Sequence, residues 1–261
     1  MTYEHTPVTV EGKRAVVIGG TSGIGRAIAR GFAADGANVA ATSRTADAVA
    51  ETAAELRDLG AETVEATCDV TDRGSIVACR DAVVDDLGGV DVLVNSQSYV
   101  SRASLSDGDE EDWQRVFDVQ LDGTYRATQV FAERMDEGAI LNVSSISNQL
   151  AIPDLVPYTT AKGGVDAFTR VAAKELGPEI RVNAIKPGFV RSEQTAGTYD
   201  EDTDRYREIA RRTVHERMAD PEELVGAAIY LASDAASYTT GSVLTVDDGF
   251  TADAFGNVSS D

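Results

Sequence analysis

The chain has 261 residues, 43% of them hydrophobic, and carries 44 acidic against 23 basic side chains, for a net charge of −21. That length buries a sizeable core in one α/β unit, and the negative surplus argues against nucleic acid and anionic membrane surfaces as partners. No apolar run approaches the ~18 residues of a membrane-spanning helix, and the polar opening MTYEHTPVTVEGKR lacks the apolar stretch of a secretory signal, so a cytoplasmic location is expected.

In chain order, RAVVIGG (14–20) reads as a short buried strand and IGRAIARGFAADG (24–36) as an amphipathic helix. The turn between them, Gly19-Gly20-Thr21-Ser22-Gly23-Ile24-Gly25, concentrates glycine where a strand hands over to a helix. Glycine lets the backbone approach a pyrophosphate, and the helix start offers unpaired N–H groups and partial positive charge. The strand-turn-helix context reads as a dinucleotide cradle. A P-loop would need Lys and then Ser or Thr after Gly25, where Arg26-Ala27 stand. The second strand, NVAATSR (38–44), ends where an acid would take the ribose 2′-hydroxyl of NAD and an arginine the 2′-phosphate of NADP. Ser43-Arg44-Thr45 occupies that place, so NADP(H) is the expected cofactor, with NAD(H) as the alternative.

The alternation continues. Helices are expected over 45–59, 72–87, 109–135, 158–176 and 221–233, and strands at ETVEATCDV (62–70), VDVLVN (90–95), AILNVSS (139–145), RVNAIKPG (181–188) and SVLTVDDG (242–249). This predicts an α/β fold: one Rossmann-type, doubly wound parallel sheet of about seven strands in the order 3-2-1-4-5-6-7, with helices on both faces, in a single domain over 1–261. Residues 192–220 interrupt the pattern as a polar insertion at the carboxyl end of a strand, where a substrate lid is expected. It ends at Asp220-Pro221-Glu222-Glu223, a helix start with its cap, its N1 proline and an acidic first turn. Cys68 and Cys79 form no CxxC and His5 and His215 no cluster, so neither a disulfide nor a metal site is expected. The sequon Asn142-Val143-Ser144 lies in an apolar strand and is not expected to be glycosylated.

YTTAK (158–162) sets a phenol and an ammonium one helical turn apart, their Cβ atoms about 5–6 Å from each other. A cation beside Tyr158 is expected to lower its pKa from about 10 and make it a usable acid and base.

Together these stretches resemble the short-chain dehydrogenase/reductase family over about residues 11–250. The glycine turn corresponds to the family's TGxxxGxG without its leading threonine, Asp69-Val70 to its DV pair, Ser145 followed by Tyr158 and Lys162 to its serine and YxxxK, and Pro187-Gly188 to its PG turn. The resemblance implies carbonyl–alcohol interconversion by hydride transfer, with Tyr158 as general acid and base. Lys162 would hold the nicotinamide ribose and Ser145 the substrate oxygen. It implies cofactor contacts from Gly19, Thr21, Ser22, Gly23, Ile24, Gly25, Ser43, Arg44, Thr45, Asp69, Val70, Asn95, Tyr158, Lys162, Pro187, Gly188, Val190 and Ser192. Gln97, Ser147, Gln149, Ile152 and Arg191 would line a substrate pocket suited to a small ketone, a sugar-like compound or a 3-oxoacyl thioester. Three departures stand out: Asn95-Ser96-Gln97-Ser98 where the family has NNAG, Gln120 at its fourth catalytic position, usually asparagine, and Asp247-Asp248-Gly249 in its terminal motif. Alternatives are an NAD-preferring alcohol or sugar dehydrogenase and a weakly active dinucleotide-binding sensor or subunit. The family also implies a homotetramer, or a homodimer. The acidic excess, with lysine confined to Lys13, Lys162, Lys174 and Lys186, is similar to that of proteins from halophilic archaea and implies stability that rises with KCl.

Overall fold

Short apolar runs become the central strands. In the computed structural model, which describes residues 5–192 and 195–252, β1 (Arg14–Ile18), β2 (Asn38–Thr42), β3 (Val92–Asn95), β4 (Gly138–Val143), β5 (Ile180–Pro187) and β6 (Val243–Val246) form one parallel sheet. Its order is β2-β1-β3-β4-β5-β6. The inner strands are buried on both faces, so their sequences need no polar alternation. The helices are α1 (Gly23–Ala34), α2 (Ala46–Asp58), α3 (Arg73–Leu87), α4 (Glu110–Phe117), α5 (Gly123–Ala132), α6 (Val156–Glu175), α7 (Asp204–Arg212) and α8 (Val225–Ala232).

Two cores flank the sheet. Ile28 and Phe32 of α1 and Leu231 of α8 pack with Val17, Val39 and Val94 on one face, while Ile76 and Val83 of α3 and Phe131 of α5 pack with Ile18, Leu93 and Ile140 on the other. Each fully buried side chain of this size contributes about 1.5–3 kcal/mol. A third, small cluster of Ile146, Ile209, Met218 and Phe250 seats α7, and with it the insertion, against the body of the fold. Residues 193 and 194 of that insertion, and residues 1–4 and 253–261 of the expected domain, lie outside the described residues. The insertion ends as expected at Asp220, whose N–H donates to Glu223 Oε2 at 2.9 Å. The turn after it is a short 3-10 stretch, Pro221–Leu224, before α8 begins.

Two expectations are corrected. Residues 62–70 run beside β2 without a ladder: Val39 N–H donates to Glu62 O at 3.0 Å and Cys68 N–H to Ser43 O at 2.9 Å. Among the described residues the sheet therefore has six strands rather than about seven. Val64, Ala66 and Cys68 are buried while Glu65 and Thr67 are exposed, so the segment packs like a strand without bonding like one. The helix expected over 109–135 is interrupted by a π turn, Asp118–Asp122, between α4 and α5. Among the described residues no helix is long and apolar enough to cross a membrane. Asn142 of the sequon is fully buried on β4, out of reach of a glycan.

Candidate active site

Parallel pairing brings the carboxyl ends of β1, β3 and β4 level, with Ile18 opposite Asn95 and Asn95 opposite Asn142. The loops that leave them open along one edge of the sheet, and a cavity of about 390 Å³ lies there. Its walls include Gly19, Thr21, Ser22, Gly23, Ile24, Gly25, Ser43, Arg44, Thr45, Asp69, Val70, Gln97, Ser145, Tyr158, Lys162, Pro187, Gly188, Val190 and Ser192. Residues far apart in the chain thus converge on one space.

The glycine end fits a dinucleotide. Gly19 has φ +73, and a Cβ there would lie 2.7 Å from Gln97 N; at Gly25 it would lie 2.1 Å from Gly19 O. Side chains would fill the cradle or force it open. Ser22, the N-cap of α1, makes no side-chain capping bond, and the first turn of α1 holds no acidic residue. By contrast Asp72 caps α3 through Gly74 N at 2.8 Å and Asp109 caps α4 through Glu111 N at 2.8 Å. The α1 donors and their partial positive charge therefore stay available to an anion such as a pyrophosphate. Arg44 is exposed at the rim and has no ion-pair partner among the described residues. Burial pushes the Asp69 carboxyl up, but hydrogen bonds from Thr71 N–H and hydroxyl, at 2.9 and 2.8 Å, and the nearby Arg44 charge outweigh it and leave it below the usual range.

At the other end Tyr158 and Lys162 project from the first turns of α6, with Ser145 at the close of β4. Burial pushes the Tyr158 phenol up, against a hydrogen bond with Ser145 that lowers it, and Tyr199 of the insertion adds to the rise. Burial pushes Lys162, 4% exposed, down to about 7, against the pull of Asp166. This reverses the expected direction for the phenol. Lys162 Nζ lies 5.6 Å from the centre of the Tyr158 ring and donates to Val143 O at 2.6 Å, so desolvation prevails over the cation in setting the tyrosine. Tyr199 packs edge-on against Phe189, ring centres 5.4 Å apart, and accepts from Arg102 Nη2 at 3.1 Å. A donor, a polarising hydroxyl and a cation thus share one wall, the set needed to protonate an oxygen on a substrate.

Several expected residues lie elsewhere. Asn95 is sealed beneath the cavity, donating to Asn142 Oδ1 at 2.9 Å and Thr128 Oγ1 at 3.2 Å. Gln120, 1% exposed, turns its amide towards the loop after β3: Nε2 donates to Ser98 Oγ at 3.0 Å and to Tyr99 O at 3.1 Å, and Oε1 has no partner. The π turn re-aims this position, and the longer glutamine stem reaches the serine that stands in place of the family's glycine. Ser147 is buried with its N–H on Ser145 Oγ at 3.1 Å, Gln149 is exposed, and neither they nor Ile152 line the cavity. Arg191 is held by Asp220 at 3.0 Å and Glu201 at 3.4 Å, at a neighbouring cavity of about 250 Å³. Spacing alone missed Tyr99, Arg115, Val119 and Thr195, which also line the main cavity. Arg115 in the last turn of α4 and Val119 within the π turn lie four residues apart, and the Arg115 guanidinium lies 4.3 Å from the Tyr99 ring centre.

The family model described as enoyl-(acyl carrier protein) reductase matches residues 19–251. A gluconate 5-dehydrogenase from Gluconobacter oxydans is 32% identical over 248 residues, covering 93% of this chain and 96% of the relative. A D-threitol dehydrogenase from Mycolicibacterium smegmatis is 37% identical over 247 residues, covering 93% and 94%. The crystal structure of a gluconate 5-dehydrogenase from Burkholderia cenocepacia, in complex with NADP and tartrate, superposes with a TM-score of 0.90 at 31% identity, over 95% of this chain and 98% of that one.

Proposed function

The chain belongs to the short-chain dehydrogenase/reductase family, and on that premise we propose that this oxidoreductase uses NADP(H) to interconvert a ketone and a secondary alcohol on a small polyhydroxylated, sugar-like substrate. The observation that carries the reading is the convergence of Ser145, Tyr158 and Lys162 on the cavity that also holds the glycine turn and Arg44. Relatives that act on sugar acids and polyols support the substrate class, and the NADP in the Burkholderia cenocepacia structure supports the cofactor. Arg44 would hold the 2′-phosphate, and the uncapped start of α1 the pyrophosphate.

A nicotinamide cofactor held along the cavity of the glycine turn and Lys162 would supply the hydride for reduction and accept it in oxidation. Ser145 holds the carbonyl oxygen by a hydrogen bond and fixes its distance from the phenol. Tyr158 gives its proton to that oxygen as negative charge develops there. Burial keeps the phenol protonated beforehand, so reduction begins from the form the step requires. Lys162, as an ammonium 5.6 Å from the Tyr158 ring centre, stabilises the phenolate left behind. The insertion, whose Tyr199 adds to the rise of the Tyr158 phenol, would close over the substrate, and Tyr125 and Val171 leave apolar surface on α5 and α6 for assembly into a homotetramer.

The test is NADPH oxidation with a panel of keto-sugars, keto-sugar acids and simple ketones in molar KCl, using the wild type and Tyr158→Phe. The variant should bind NADPH normally and lose about 10²–10⁴-fold in turnover. Undiminished turnover would remove Tyr158 from the reaction.

A further inference from the structure

Behind Lys162, three chain segments meet at one carboxylate. Asp166 lies one turn further along α6. Its Oδ2 pairs with Lys186 Nζ of β5 at 2.7 Å and accepts from Asn148 Nδ2 at 2.8 Å, while Oδ1 accepts from the Ser144 hydroxyl. Asn148 Nδ2 also donates to Lys162 O at 3.1 Å. The ion pair is nearly closed to water, with side-chain exposures of 4% for Lys186 and 10% for Asp166. Two of the partners adjoin residues of the site: Ser144 precedes Ser145, and Lys186 precedes the Pro187-Gly188 turn. Desolvation offsets most of the attraction within such a pair, so stability alone does not account for placing one here.

We propose that Asp166, paired with Lys186, is a positioning residue that ties together the segments bearing Ser145, Lys162 and the Pro187-Gly188 turn and holds the charge state of Lys162. The proposal rests on the reading of Ser145, Tyr158 and Lys162 as the reacting set. The Asp166 carboxylate favours an ammonium at Lys162, and Lys186, paired with that carboxylate at 2.7 Å, offsets part of its charge. The carboxylates of the neighbouring π turn are paired elsewhere. Asp118 and Asp122 in the π turn face Arg126, at 2.7 and 3.9 Å. Arg115 of α4 lies over Tyr99, Gln120 is a neutral amide, and Tyr158 and Tyr199 are phenols.

Because the chain has lysine only at positions 13, 162, 174 and 186, NMR of protein made with isotope-labelled lysine resolves Lys162 without cofactor or substrate. Its titration midpoint, about 7 in the wild type, should fall in Asp166→Asn and rise in Lys186→Met, each by roughly tenfold in proton affinity. The pH profile of NADPH-dependent turnover should move in the same directions. An unmoved midpoint in folded Asp166→Asn, or a uniform loss of turnover without any change of profile, would overturn the proposal. Should Lys186→Met not fold, Asp166→Asn/Lys186→Met decides, since it removes both members of the ion pair together: its midpoint should lie above that of Asp166→Asn, and coincidence of the two refutes the proposal. Full turnover by Tyr158→Phe would instead sink the functional reading, and the titration would still report on Asp166.

Discussion

Burial acts in opposite senses on the two titrating residues of the site, holding the Tyr158 phenol protonated and depriving Lys162 of proton affinity. If reduction needs a cationic Lys162, the free enzyme is competent below a midpoint of about 7 and loses competence as pH rises through it. The quantity that reports free-enzyme groups is kcat/KM, so kcat/KM for NADPH should decline above neutrality at constant ionic strength. A profile that stays level well into the alkaline range would show that Lys162 charge does not limit the reaction. At the far end of the cavity, Arg44→Ala should raise the NADPH dissociation constant about tenfold or more and leave that for NADH nearly unchanged, since a charged hydrogen bond to phosphate contributes about 1.5–3 kcal/mol. Fluorescence titration of both reduced nucleotides checks it, and equal losses for the two would reassign Arg44.

The π turn between α4 and α5 has its counterpart in the loop after β3, where Ser98 accepts the amide of Gln120 at 3.0 Å. Neither side is legible alone, because a glutamine and a serine 22 residues apart announce no contact by spacing. Once the turn is seen, the two departures from the family pattern become one arrangement. A double-mutant cycle with Ser98→Ala and Gln120→Ala should show a coupling of about 1 kcal/mol in unfolding free energy; strict additivity would mean that the residues act independently. What the sequence did disclose was local: the glycine turn between β1 and α1, and Tyr158 with Lys162 on a single helix, are relations set by the period of one element. Arg115, Tyr99 and Thr195 reach the cavity only through the packing of distant elements, and no local period encodes that. Residues 62–70 mark the opposite failure. Their alternation tracks which side chains are buried and so predicts a strand, although the backbone bonds to β2 and its following residue are made only near the ends of the segment.

Across the whole molecule the excess of carboxylates sets the conditions under which the fold persists. A net charge of −21 is self-repelling in dilute buffer, and at molar ionic strength the screening length contracts to about 3 Å. The melting temperature should therefore rise steadily between dilute and molar KCl, as followed by circular dichroism; insensitivity to salt would show that the surface repulsion is already compensated. Many of the pairs that could compensate it are exposed, such as Arg207 with Asp204 and Arg211 with Glu208, and pairs of that kind contribute little. The burial of Lys162 and Lys186 has a practical corollary for chemistry done on the protein. With both withdrawn from solvent and Lys13 tied to Asp234 at 2.8 Å, Lys174 at the end of α6 is the side-chain amine most open to acylating reagents. Among side chains, amine coupling to a bead or dye should therefore fall chiefly on that helix end wherever α6 is left uncovered by a second subunit, alongside the terminal α-amino group.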